Sequence, residues 1–303
     1  MTNLIPLMQR EWLQHRTAWM LLMCIPLVLA AALLSVGQLE FDNHRQDLAG
    51  ADLATMLASM CILITTAVIF FLTWITSLFI TAGLARRDHA DRSAEFWLSL
   101  PSGHTESYAA PLLVHLLLVP AAALLVGLAG GYTLSLLVVA RFVGLGEWFG
   151  LPWASLLAAT MAVVGRILVG LPMATLWLSP LILLAVLSNA LFRRWGLPVL
   201  VVGMALGSTV LSQVFGQPIL SRTLAVLGSN AARALGGASG KGLRLDQHTD
   251  GLALQALPEW AAQDLAAAAH ALLSPHFLFA LGTAALLFVA LVQWRKRGAG
   301  LAG

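Results

Sequence analysis

Charged side chains are what this sequence has least of. Asp, Glu, Lys and Arg together make up 10% of its 303 residues, well under half the share found in a soluble domain. A chain so poor in charge cannot cover itself with a water-facing surface. Its 59% hydrophobic composition and mean hydropathy of +0.85 assign it to a bilayer. The net charge of +3 gives no basis for nucleic-acid binding. Cysteine is nearly absent: Cys24 and Cys61 both lie inside apolar runs and read as reduced small hydrophobes. Catalytic signatures are missing too. There is no His-Glu-x-x-His, no Gly-x-Ser-x-Gly and no paired acidic residues in mid-span. No Ala-x-Ala-like site follows the first apolar run. The head MTNLIPLMQREWLQHR is too long and amphipathic for a signal n-region, so the first run is expected to be retained.

What the chain has is long apolar runs. A span needs about 20 mostly apolar residues, and six segments qualify: Ala18–Val36, Ala51–Ala85, Ser107–Ala140, Gly165–Phe192, Gly196–Gly216 and His276–Trp294. The expected fold is therefore all-α, one six-span transmembrane domain over residues 1–303. The fourth boundary is open, because Leu151–Val164 is also apolar. With the N-terminus inside, one side receives Arg10, Arg16, Arg86, Arg87, Arg92, Arg193, Arg194, Arg295, Lys296 and Arg297. The short loop 38–50 on the other side has Arg45 against Glu40, Asp42 and Asp47. Retention of basic residues on the cytoplasmic side is expected to place both termini there.

Three segments depart from a plain serpentine. In the head, 1–17, Leu4, Leu7, Met8, Trp12 and His15 recur at helical spacing opposite Gln9, Arg10, Gln14 and Arg16, as in a helix lying in the membrane interface. The second apolar run has 35 residues, about 52 Å of helix against a hydrocarbon core of about 30 Å, so part of it projects beyond the membrane. The stretch 217–275 is an external loop, Gly- and Ala-rich around GGASGKG and helical from Pro258 to Leu273. There Pro258 suits a first helical position, and Glu259 and Asp264 sit near the positive helix end.

Ionisable groups at membrane depth are costly enough to flag function, and few are present. Asp52 and His276 lie at outer edges of spans, and Arg166 begins the fourth span, from which it can snorkel outward. His115 lies in the first turns of the third span and reads as a satisfied or interfacial histidine rather than a proton relay. Gly236–Gly242 imitates a phosphate loop but fails: position 235 is Leu, and Lys241 is followed by Gly rather than by Ser or Thr. Gly127-x-x-x-Gly131 and Gly203-x-x-x-Gly207 permit close helix approach and are expected to pack within the molecule.

The segment 86–106, RRDHADRSAEFWLSLPSGHTE, concentrates charge between two apolar runs. Asp88 precedes Arg92 by four residues, the favourable order for a helical ion pair. Asp91 or Ser93 can cap a short helix, and Pro101 with Ser102-Gly103 stops it. A helix over Asp91–Leu100 would carry an apolar knob of Phe96, Trp97 and Leu100 with a charged rim, the make-up of a protein docking site. The plain alternative is an interfacial helix with Trp97 among the headgroups.

DRSAEFWLSLPSGHTESYAAPLL resembles the cytoplasmic loop of permease subunits of bacterial type-2 ABC exporters, where an acidic-basic helix precedes a Trp-x-Ser-Leu-Pro turn. Leu176–Leu200 is similar to that family's fourth span, with its Trp–Pro pair and basic turn, and Leu272–Gly298 to its closing span. At the third-span entry the family often has Lys where this chain has Ala109-Ala110-Pro111. The resemblance implies a permease that binds no ATP or other cofactor and pairs with a second permease chain and with separate cytoplasmic ATPase subunits. Asp91, Arg92, Glu95, Phe96, Trp97 and Leu100 would form its coupling helix, and the head helix would brace the assembly. Two other classes stay open: a membrane-embedded enzyme, with only His115, Arg166 and Ser188-Asn189 to draw on, and an ion-coupled secondary transporter.

Overall fold

The computed structural model describes residues 4–36, 50–84, 104–240 and 251–300, and these are helical with short turns and no strands. Helix α1 runs Leu4–Val36 and α2 Gly50–Ala82. Helix α3, His104–Leu113, passes through a π-helical turn, Val114–Leu118, into α4, Val119–Phe142. After the short α5, Leu145–Phe149, comes α6, Trp153–Phe192. A 3-10 turn at Arg193–Trp195 leads to α7, Gly196–Gln213. Helices α8 (Ile219–Leu235), α9 (Gly251–Ala271) and α10 (Pro275–Gly300) complete the chain.

Among the described residues, five stretches are long and apolar enough to cross a membrane: Leu4–Val36, Asp52–Ala82, Thr105–Phe142, Trp153–Gln213 and Pro275–Trp294. Large apolar side chains stand outward along them, with Leu33 71%, Phe279 75% and Leu286 74% exposed. Water would not tolerate apolar surface on that scale, and lipid does. The chain is a multi-pass helical membrane protein.

Several expected boundaries shift. The head is not a separate helix: α1 continues from Leu4 without a break through Pro26 to Val36, about 50 Å. The fourth expected span begins twelve residues earlier than Gly165, at Trp153, and α6 extends about 60 Å. Gly144, at φ 132, and Pro152 delimit the α5 turn before it, and the Trp148 and Trp153 rings meet edge to face at 4.7 Å. The fourth and fifth expected spans fall within one apolar stretch, Trp153–Gln213, which folds back at the 3-10 turn. Arg193 takes φ 53 there, a backbone region costly for a residue with a Cβ. Ser188 Oγ donates to Gly196 O at 2.7 Å, and a Cβ on Gly196 would lie 2.4 Å from Asn189 Cα. In a straight helix residues seven apart are about 10 Å away, so the chain reverses.

The tightest seam joins α2 to α4 antiparallel. A Cβ on Gly127 would come within 2.9 Å of Thr66 Cα, and one on Gly131 within 2.9 Å of Ile62 Cα. This glycine pair packs within the molecule, as expected. The second pair does not: Gly203 has open space around its Cα, and Gly207 meets only a Leu220 methyl. Trp19, Met23, Ile69, Val114, Val119 and Ala123 bury a smaller cluster where α1 lies on this pair. The main core fills the space between α2, α4 and α6 and continues under α8 and α9; Trp177 of α6 meets Phe277 of α10 at 5.1 Å. Replacing Gly131 with Val should cost about 1–3 kcal/mol by forcing α2 and α4 apart, read as a lower detergent melting temperature. Gly203→Val should leave that temperature unchanged.

Candidate functional site

The six residues expected to form a docking helix, Asp91, Arg92, Glu95, Phe96, Trp97 and Leu100, lie outside the described residues. The end of their segment, His104–Glu106, opens α3. What the described residues hold is two buried polar centres, and both change the reading of residues singled out above.

The first is an ion pair. Arg166 does not snorkel: it is 2% exposed, and its guanidinium meets the wholly buried Asp264 of α9, Nε at 3.0 Å and Nη2 at 2.8 Å from Oδ2. The remaining donors go to the end of α8, Nη1 to Ala234 O at 2.7 Å and Nη2 to Arg233 O at 3.1 Å. A helix leaves its last carbonyls unpaired and its C-terminus partially negative, so a guanidinium is a suitable cap. Gly170, one turn further along α6, makes room: a Cβ there would lie 2.0 Å from Ala234 O.

Asp264 has its own second partner. The turn after α8 carries Gly237 and Gly240 at φ 84 and 72, values that glycine adopts without strain. It directs the Gly237 N–H to Oδ2 at 3.0 Å and the Ser239 N–H to Oδ1 at 2.7 Å. Successive N–H groups in such a turn form an anion nest. The glycine run that imitates a phosphate loop therefore holds an anion after all, the chain's own carboxylate. Burial alone would raise the Asp264 pKa; hydrogen bonds from Ser239 and the charge of Arg166 outweigh it and hold the carboxyl below its usual range. The expected start of α9 at Pro258 is also corrected. The helix begins at Gly251, about two turns earlier, and Asp264 is an interior residue rather than a helix-end one. Helices α8 and α9 thus turn the expected loop 217–275 into a helical layer packed on α6.

The second centre lies where α1 crosses the π-helical turn. His115 is fully buried, with neither ring nitrogen hydrogen-bonded among the described residues. Its Nε2 is 3.5 Å from Glu11 Oε2, and its ring centroid is 5.5 Å from that of His15 and 5.8 Å from that of Trp19. The π turn has a local cause. Pro120 has no N–H, and its ring crowds the carbonyl four residues back, at Leu116. The preceding Val119 N–H bonds to Val114 O, five residues back, and the widened turn carries His115. Glu11, His15 and His115 offer ligand atoms that all lie within 4.8 Å of one another.

The other flagged residues have structural roles or surface positions. Ser188 closes the α6–α7 reversal, and Asn189 Nδ2 donates to Ala82 O at 2.9 Å and Ala185 O at 3.1 Å, tying α6 to the end of α2. Asp52 is exposed. His276 lines an open apolar cavity of about 630 Å³ with Pro180, Pro218, Ile219, Arg222 and Phe279. Sequence reasoning missed Glu11 and the burial of Arg166. The available signal for Glu11 was its i, i+4 spacing to His15; nothing local connected either to His115.

No protein-family model, no curated protein and no solved structure matches this chain.

Asp264→Asn should destabilise the fold by about 3–5 kcal/mol, because it leaves Arg166 charged and buried; Arg166→Met with Asp264→Leu should recover much of that loss. Asp264 is the depressed-pKa case. Its contribution is complete above the unfolded carboxylate value of about 3.9 and is lost as pH falls through the lower folded value. Unfolding midpoints in detergent should therefore hold steady from pH 7 to about 5 and fall below about pH 4. Asp264→Asn should flatten that acid limb.

Proposed function

We propose that this chain is the permease subunit of an ATP-binding-cassette exporter, a six-span bundle with both termini in the cytoplasm of a bacterial cell. The observation that carries the reading is the segment 86–106 between α2 and α3. It is a charged stretch with Phe96 and Trp97 at its centre in a chain that is only 10% charged overall. A membrane protein that uses ATP from a separate subunit needs one protruding contact of this composition, an aromatic knob with a charged rim.

In this reading Phe96, Trp97 and Leu100 insert into a groove of the ATPase while Asp91, Arg92 and Glu95 set its orientation. ATP-driven closure of the ATPase pair moves the segment and with it the ends of α2 and α3. Coupling requires that nucleotide state bias the bundle between two arrangements. A second permease chain, a copy or a relative, would complete the pathway.

Two features of the bundle support transport over catalysis. Of the groups available to an embedded enzyme, His115, Arg166, Ser188 and Asn189, the last three are committed to packing contacts. Apolar cavities of about 630 and 430 Å³ open between helices, the latter lined by Leu113, Pro172, Thr175, Ser179 and Phe288.

The test is affinity purification of the tagged chain from its native membrane, with mass spectrometry of what accompanies it. An ATPase with Walker motifs should co-purify. Phe96→Ala with Trp97→Ala should lower its recovery about 30-fold or more, two anchors at about 2 kcal/mol each being more than enough for that. Full recovery of the ATPase with the double variant, or no ATPase with the native chain, overturns the proposal.

A further inference from the structure

We infer that Glu11, His15 and His115 form a binding site for a divalent transition-metal ion of the zinc class, clamping α1 to the π-helical turn before α4. This inference stands apart from the permease reading and needs none of the residues on which that reading rests.

Three observations lead to it. The first is the donor set, one carboxylate and two imidazoles. That combination is borderline in softness and selects zinc and its first-row neighbours over calcium and magnesium, which take oxygen ligands. The second is geometry. Glu11 and His15 stand four apart on α1 and so share a face, and His115 is presented to them from the other side. Zinc–ligand bonds of about 2.0–2.1 Å in a tetrahedron set neighbouring ligand atoms about 3.4 Å apart. Glu11 Oε2 and His115 Nε2 are already 3.5 Å apart, and the ligand atoms of all three residues lie within 4.8 Å of one another. His15 is half-buried, so a rotation of its side chain can close that gap.

The third observation points to a ligand independently of the spacing. His115 is 0% exposed, and both its ring nitrogens lack a hydrogen bond among the described residues. Buried polar groups are nearly always paired, and an orphan invites an ion or other unseen partner. Nor is His115 a passive packing residue: the chain departs from α-helical winding at that turn and so presents it to α1. A cation on Nε2 supplies the missing partner. With three protein ligands the fourth position is left to water or a small anion, the arrangement of an open rather than a closed zinc site.

The full chain, purified without a polyhistidine tag in detergent and stripped with chelator, should be titrated with Zn²⁺ alone by calorimetry. A parallel titration with Co²⁺ should be followed by visible absorption. One ion per chain is expected, with Co²⁺ bands of a four-coordinate nitrogen–oxygen site and no comparable uptake of Mg²⁺. His115→Ala should weaken Zn²⁺ affinity by more than about 100-fold, beyond the loss typical of an outer-shell change. His15→Ala changes a half-buried side chain and keeps the test valid should the His115 variant fail to fold. It should weaken binding comparably, while His270→Ala and His276→Ala, distant from the cluster, should bind as the native chain does. Absence of Zn²⁺ binding by folded protein overturns the inference. So do binding that survives His15→Ala and equal affinity for Mg²⁺.

Discussion

A cation inside an apolar helix has to be neutralised, and that requirement organises half of this molecule. Arg166 on α6 is answered by Asp264 of α9 and by the last carbonyls of α8, and Asp264 in turn is held by the glycine turn between those two helices. Four elements therefore depend on one contact. The pair itself is weak evidence for net stability, since desolvating two charges costs about as much as their attraction returns. Its effect is one of position. Helices α8 and α9 can pack on α6 in the one register that brings carboxylate, nest and helix end to the same guanidinium.

The α2–α4 pair relies on shape. At Gly127 and Gly131 no side chain of α4 stands in the way, and there the helix backbones come into close contact at Thr66 and Ile62. Thr66 turns its hydroxyl back to Ile62 O and so is satisfied within that seam. Against this rigid pair α1 is held lightly, by Trp19 and Met23, by Leu27 over Gly130, and by Arg141 of α4, which donates to Leu34 O near the end of α1. An additional link at Glu11 and His15 would fall at the other end of α1, near the buried Trp19.

How much of this was legible in the sequence follows from the range of the forces. The apolar runs announce helices because burial in lipid needs only composition and length, and five stretches stand close to where composition put them. Boundaries failed where continuity was at stake. The head and the first span proved to be one helix, because nothing between Arg16 and Trp19 breaks helical winding. Leu151–Val164 carried no mark to separate it from the span that follows. The polar centres were hidden for a different reason: Glu11 finds a partner over a hundred residues away, and Arg166 one 98 residues away. A lone arginine at a span edge looks the same in sequence whether it reaches water or a carboxylate. GGASGKG carries the mark of an anion loop in sequence, and only the fold shows which anion its Gly237 and Ser239 N–H groups hold, the carboxylate of Asp264.

The separation between Arg166 and Asp264 also sets an order of events during synthesis. A ribosome adding 5–20 residues per second takes about 5–20 s to make the 98 residues between them. For that interval α6 carries an unanswered charge into the membrane. The α8–α9 layer, made after α6, is what supplies the helix end and the carboxylate that answer Arg166.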